Sequence, residues 1–351
     1  MTVLDAQALD DIACGACVLG SGGGGALTEG RALASSLPVI TLVEARDVAD
    51  DARMAVSAAI GSPTAAAGQD LSSAAVAAYQ ELEKANGTTF THVLVGEIGA
   101  VNALIPMLPA ARLGLPVVDA SSAPRALPLL ANAIFADTVP ISPIALATAN
   151  GAFTISAPNA ETADPMLRGL VSSPGFPDCA GFALWSMDGA TMKRQALPGT
   201  VERAREVGAL LRGPEPVEAV CHLLGATVLF KGRNLAVQQT SGGGFDVGTV
   251  TIDDGDDRLT IFEQDENLVA WRRGASAPVA MAPDLICYLT ADGRPFSNAG
   301  PDMATITPST EVVVIGVPAA HLDFAGPSVV ASFAGVLGAL GYPGPYVPVG
   351  A

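Results

Sequence analysis

Apolar positions along the first half of the chain switch between a helical and an extended period. Leu9, Ile12, Ala16 and Leu19 share one face of a first helix, with Asp5 placed to cap it, and the run stops at Gly20-Ser21-Gly22-Gly23-Gly24-Gly25. A second helix is predicted to about Ser36. Apolar runs then predict strands over 38–45 and 53–60, the latter ending in Gly61-Ser62-Pro63-Thr64, and a helix over 71–86 stopped by Gly87. The strand Thr91-His92-Val93-Leu94-Val95 runs into Gly96-Glu97-Ile98-Gly99. Asn102 to Leu113 predicts a helix closed by Gly114, and Leu115-Pro116-Val117-Val118 runs into Asp119-Ala120-Ser121-Ser122. One or two further strands fall within 141–157. This alternation predicts an α/β domain with a mostly parallel sheet over 1–174.

After about Pro174 the pattern changes. Phe182 to Trp185 starts a strand, and helices are predicted over 199–212 and 216–224. From Ala226 to Leu289 β-like runs dominate, followed by a strand over 311–317 and a closing helix over 328–340. Residues 175–351 therefore predict a β-rich second domain. Asp253-Asp254-Gly255-Asp256-Asp257 is expected as a hairpin turn, because it lacks the twelve-residue ligand pattern of a calcium loop.

Two acids stand out. Glu97 and Asp119 each follow a predicted strand, and a strand–helix–strand unit makes those strands parallel with their carboxyl ends on one edge. Ligands of open α/β sheets bind outside that edge. The pair is therefore expected in one cavity as base and acid, with Arg125 reaching the same crevice; capping of the helices that follow is the alternative role for the acids. The glycine tract, Ser21 and Gly22 to Gly25, could cradle an anionic group on its amides or form a tight helix–helix turn. A dinucleotide fingerprint needs a strand before the glycines, and here a helix precedes them, so no nucleotide is expected. Thr240-Ser241-Gly242-Gly243-Gly244-Phe245 is a second glycine-rich turn, either a ligand contact or a bulged hairpin.

Composition narrows the classes. Half of the 351 residues are apolar and 15% are charged, enough to build a large interior. A formal charge of −17 argues against nucleic acid and anionic membranes. Apolar stretches are interrupted before the ~18 residues that span a bilayer, and no secretory signal is visible before Arg31. Five cysteines make no disulfide framework, which favours a reduced cytoplasm. Cys14-Gly15-Ala16-Cys17 lies within the first helix and is expected as core. His92, His222 and His321 form no metal motif, while a divalent metal held by carboxylates and cysteines stays open.

The ordered motifs also match a known family. They comprise Leu19 to Gly25, Glu97-Ile98-Gly99 with Asn102-Ala103-Leu104, Ala111 to Asp119, and Arg125-Ala126. Met192-Lys193-Arg194 with Pro198-Gly199-Thr200, Ser241 to Phe245 with Gly248-Thr249-Val250, Glu266 to Ala270, and Pro283 to Ile286 follow in order. Over nearly its whole length the chain resembles the S-methyl thiohydantoin desulfurase family, whose proteins are associated with hydantoinase and oxoprolinase systems. The resemblance implies an N-terminal α/β part, a C-terminal β-rich part, and hydrolytic removal of sulfur from a five-membered thiohydantoin ring. Ser121-Ser122-Ala123-Pro124 departs from the family's Gly- and Met-containing segment before its Arg-Ala, so pocket shape could differ. Expected site residues are Glu97, Asp119 and Arg125 for catalysis, with Ser21, Gly22 to Gly25, Asn102, Ser241, Gly242 and Gly243 for binding. The expected partner is a small-molecule substrate, with a second copy of the chain or a hydantoinase-like subunit as further partners. An accessory role in such a system, or another cyclic amidohydrolase, is the alternative.

Overall fold

The structure, a computed structural model, describes residues 1–61, 71–173 and 179–350. The strand end expected at Ser62 to Thr64 and the break at Pro174 lie outside the described residues.

The first half begins with β1 (Thr2–Leu4), α1 (Ala6–Leu19), α2 (Leu27–Ser36), β2 (Ile40–Glu44), β3 (Arg53–Gly61) and α3 (Ser72–Asn86). It continues with β4 (His92–Glu97), α4 (Met107–Leu113), β5 (Val117–Ala123), β6 (Ile144–Thr148), β7 (Gly151–Ile155) and α5 (Ala160–Val171). Then come β8 (Cys179–Asp188), α6 (Gly189–Gln195), β9 (Leu197–Pro198), α7 (Thr200–Leu211) and α8 (Pro216–Leu224). Among the described residues these strands make one sheet ordered β1-β2-β5-β4-β3-β8-β6-β7, with β9 on β5. The central pairs β2/β5, β5/β4 and β4/β3 are parallel, and the flanking pairs are antiparallel. Helices cover it because its strands are apolar on both faces, as parallel strands must be.

Several helix ends follow local chemistry. The Asp5 carboxylate accepts from Ala8 N at 2.9 Å and starts α1. Gly87 and Gly114 close α3 and α4 in the left-handed region. The helix expected from Asn102 begins five residues later, at Met107. The amides of Val101 and Asn102 bond to Gly24 O instead, leaving 101–106 as turns.

The second sheet contains β10 (Thr227–Gly242), β11 (Phe245–Asp253), β12 (Arg258–Gln264), β13 (Glu266–Arg272), β14 (Ala280–Met281), β15 (Leu285–Thr290) and β16 (Val312–Val317). Its order is β14-β13-β12-β11-β10-β16-β15, antiparallel throughout. The short helix α9 (Gly300–Met303) and the closing helix α10 (Pro327–Ala339) complete the chain. The Asp253–Asp257 segment is a turn whose carboxylates pair with Arg258, Arg272 and Arg273. A boundary at 174/175 does not separate the two sheets. β8 returns to the first sheet between β3 and β6, and the second sheet starts at Thr227. An antiparallel return strand is sequence-distant but must fill the edge that β3 leaves open.

Arg125 joins the halves. It follows β5, is fully buried, and donates to the carbonyls of Ala126 (3.0 Å), Pro283 (3.2 Å), Asp284 (2.8 Å) and Asn267 (3.2 Å). Its guanidinium lies 5.6 Å from the centre of the Phe333 ring. Only a planar fork reaches so many acceptors at once. Arg125→Ala strands those carbonyls without donors and should cost about 3 kcal/mol of stability. Arg125→Lys should recover only a minor part of that loss. Denaturant unfolding of both variants measures it, and wild-type midpoints would show the joint does not depend on this side chain.

Candidate functional site

A cavity of about 470 Å³ lies where the carboxyl end of β4 meets the second sheet. One wall is apolar, with Val56, Ile60, Leu127, Phe182 and Trp185 among its residues. The opposing part carries Glu97, Asn102, Asp164, Arg168, Asp265 and Glu266. Ala32 and Ser36, both exposed on α2, stand on its rim.

Glu97 ends β4 and keeps some accessible surface, which the cavity accounts for, although protein surrounds its carboxyl. Asn102 Nδ2 donates to its Oε1 at 2.7 Å and Leu127 N to its Oε2 at 2.9 Å. Burial pushes its pKa up to about 7, while those two donors and the nearby Arg168 and Arg125 hold it from rising further. Asn102 is placed in turn by the glycine tract, since Gly24 O accepts from Asn102 N and from Val101 N. Gly24 and Gly25 reach the cavity wall.

Asp265 and Glu266 come from the second domain, on the tight connection between β12 and β13. Asp265 holds φ +58, a left-handed conformation that Asp tolerates better than most residues, and exchanges bonds with Asp246: N to O at 2.7 Å and Oδ1 from N at 2.7 Å. Burial raises Asp265 to about 7 and Glu266 well above the carboxylate range; neighbouring acids add to both shifts. Glu266 Oε2 is buried without a hydrogen-bond partner among the described residues. Its Oε1 approaches Gly23 so closely that a Cβ there would sit 2.1 Å away.

Arg168, on α5, is the cation of this wall. It pairs with Asp164 at 2.7 Å, lies 3.8 Å from Asp265, donates to Pro128 O and Gly244 O, and stacks 3.6 Å from the Phe245 ring centre. Trp185 lines the cavity with its indole Nε1 buried and, among the described residues, without a hydrogen-bond partner, at a β8 position held at φ +49 by a bulge against β3. Among the described residues, no group of three or more His, Cys, Asp and Glu side chains is arranged to hold a metal ion.

The expected residues separate into distinct places. Glu97, Asn102, Gly24 and Gly25 come together at the cavity. Asp119 does not join them: its Oδ1 accepts from Val201 N (2.9 Å) and Glu202 N (3.1 Å), capping α7. The polar-looking Ser121 and Ser122 are not a strand end, because their hydroxyls donate to Ala123 O and Gly96 O and let β5 run on to Ala123. Asp119 thus sits in a mid-strand irregularity, roughly 13 Å back from the Ala123 that faces Glu97 at ~3.3 Å per residue. Arg125 is consumed in the joint described above rather than open to the crevice. Ser21 and Gly22 bond to the second domain through their carbonyls. Ser241, Gly242 and Gly243 lie exposed at the β10/β11 hairpin, outside the cavity lining, and Ser241 donates to Asp246 at 2.5 Å. The neighbouring Gly244 and Phe245 are what touch Arg168.

Asp265, Glu266, Asp164 and Arg168 were not singled out as site residues from sequence. Asp265-Glu266 resembles a solvated hairpin tip, and Asp164 with Arg168 resembles a surface i,i+4 pair. The signal for Asp265 and Glu266 is an acidic pair set tightly between apolar runs, Leu259 to Phe262 and Leu268 to Ala270, with Glu266 opening one of the ordered motifs.

Two consequences can be measured. Asp119→Ala should lose a cap worth about 1 kcal/mol in denaturant unfolding, whereas Asp119→Asn should nearly hold the wild-type value because Asn caps as well as Asp. An equal loss in both would exclude capping. Glu97, Asp265 and Glu263 (raised by burial to about 8) bind their protons more tightly folded than unfolded. Stability should therefore be greatest below the usual carboxylate range for these groups and fall as pH rises through about 7 to 8. The charge of −17 weakens the fold over the same window, so the difference between wild type and Glu97→Gln isolates one group. A slope unchanged by that substitution would mean Glu97 titrates normally.

The chain matches the S-Me-THD-like N-terminal domain over residues 7–157 and the S-Me-THD-like C-terminal domain over 158–327. It is also similar to the crystal structure of a protein from Chromobacterium violaceum, with 29% identity, 99% of this chain and 100% of that chain covered, and a TM-score of 0.88. No curated protein matches it significantly. With both domains matched in succession, the chain belongs to the S-methyl thiohydantoin desulfurase (S-Me-THD-like) family.

Proposed function

We propose that this protein is a hydrolase that releases a thiol or sulfide from C2 of a thiohydantoin-type ring and leaves a hydantoin. The observation that carries the reading is the convergence of Glu97 from one domain and Glu266 from the other on one partly apolar cavity. A volume of about 470 Å³ suits a single substituted five-membered ring. Family membership supports the same chemistry.

The two acids are suited to different tasks. Glu97, raised to about 7 and held by two N–H donors, is substantially ionised just above neutrality and serves as base. Glu266, raised well above the ordinary range, keeps its proton and serves as acid. Water adds to C2 as Glu97 takes a proton, and the adduct collapses by breaking the C2–S bond while Glu266 protonates the departing sulfur. For an S-methyl substrate one water proton ends on the ring nitrogen and the other on methanethiol, and the water oxygen becomes the carbonyl. The reaction needs no oxidant. Trp185 Nε1 offers a donor to a ring oxygen or nitrogen.

Glu97→Gln and Glu266→Gln should each fold and lower thiol release by ~100- to 10,000-fold, because positioned proton transfer is typically worth that much. The wild-type rate should rise with pH through about 7, and this limb should vanish in Glu97→Gln. Thiol release from S-methyl thiohydantoins, followed with a thiol reagent across pH, gives both numbers. Folded Glu97→Gln with near wild-type turnover would remove Glu97 from the chemistry.

A further inference from the structure

We infer that two copies of this chain associate across a two-fold axis, through an apolar groove at the β1 edge of the first sheet. The groove, of about 370 Å³, lies between β1, β2 and the carboxyl end of α4, and among the described residues no ionisable side chain lines it. Val3 pairs with Thr41, so the two share one face of the sheet, and Val39 joins them by the two-residue repeat of extended chain. Val3 is 65% exposed, Val39 63% and Met1 83%. These are three of the seven large apolar side chains exposed among the described residues, a concentration that marks an interaction surface rather than scattered exposure. Across the groove Leu115 and Pro116 form the facing wall, and a Cβ on Gly114 would meet nothing within 4 Å, so this wall holds open space.

The patch is complementary to itself. A two-fold contact needs both halves of each pairing on one surface, because residue i of one copy meets j of the other and j meets i. Val3 and Val39 project beside the hollow at Gly114, which supplies a knob and a hole together. The rim charges are complementary in the same sense. Continuing the β1/β2 register by one residue sets Asp5 opposite Val39, while Arg112 adjoins Ala111 in the α4 wall on the other flank. Both are exposed, and neither makes an ion pair among the described residues. A two-fold rotation brings Asp5 of each copy towards Arg112 of the other. The chain's charge of −17 sets copies against one another over most of their surface, which favours contact at an uncharged centre with a balanced rim. The apolar centre supplies the affinity and the rim pair fixes the orientation.

Ten residues line the groove, fewer than the about 20–30 per side of a standard interface, so the dimer should dissociate with a Kd on the order of 10 μM. Sedimentation velocity on the full chain from about 1 to 200 μM should show monomer passing to dimer across that range. Val39→Asp places a charge in the contact and should weaken association at least about tenfold, with the unfolding transition of the dilute monomer unchanged. Arg112→Asp should also weaken it, and adding Asp5→Lys to that variant should restore it, with denaturant unfolding checking that the chain without its α1 cap stays folded. Wild type that remains monomeric throughout overturns the inference, even if another protein binds this face. So does a dimer that Val39→Asp leaves intact. A folded charge-swapped chain that fails to recover association overturns the two-fold pairing.

Discussion

Everything at the cavity depends on how closely the backbone of the glycine tract can be approached. Gly24 meets Gly99 backbone to backbone, where a Cβ would lie 2.4 Å from the Gly99 Cα, and Gly23 faces Glu266 at a distance no side chain could share. Ser21 O and Gly22 O accept from Asn267 N at 2.7 Å and Asn298 N at 2.8 Å, so the tract is bonded into the second domain. On its other side Gly24 O takes the amides of Val101 and Asn102. One short connection between α1 and α2 therefore fixes Asn102, hence Glu97, relative to Glu266. A side chain at Gly23 or Gly24 would push the two domains apart at the point where their acids meet.

Burial of that joint sets the electrostatics. Carboxyls withdrawn from water between two domains lose solvation faster than they gain partners, and their pKa values move up. The Asn102 and Leu127 donors, with Arg168 and Arg125, limit the shift at Glu97, while Glu266 has an oxygen without a partner among the described residues and moves further. Two carboxyls of one chemical type are thereby poised differently, one near neutrality and one pushed well above the ordinary carboxylate range. The same desolvation that makes them useful also weakens the fold at higher pH, a cost that the carbonyl clamp of Arg125 helps to offset.

Much of the architecture was legible along the chain. Helix–strand alternation, the glycine stops at Gly87 and Gly114, the β-rich second part and Glu97 at the end of β4 all follow from periods and caps acting within a few residues. The glycine tract was legible as a turn between α1 and α2, and Gly24 and Gly25 also reach the cavity wall.

What the chain did not announce were pairings across long separations. Asp119 looks like a residue at a strand's carboxyl end, yet its partners are amides 82 and 83 residues away at the start of α7. Arg125 looks available until three carbonyls more than 140 residues distant claim it. Asp265 and Glu266 look solvated until the first domain closes over them. The sequence by itself determined the local elements, because helix period, strand alternation and capping are short-range preferences. Only the tertiary structure decided which acids face the cavity and which cap or clamp, because burial and hydrogen-bond competition depend on which surfaces the fold brings together.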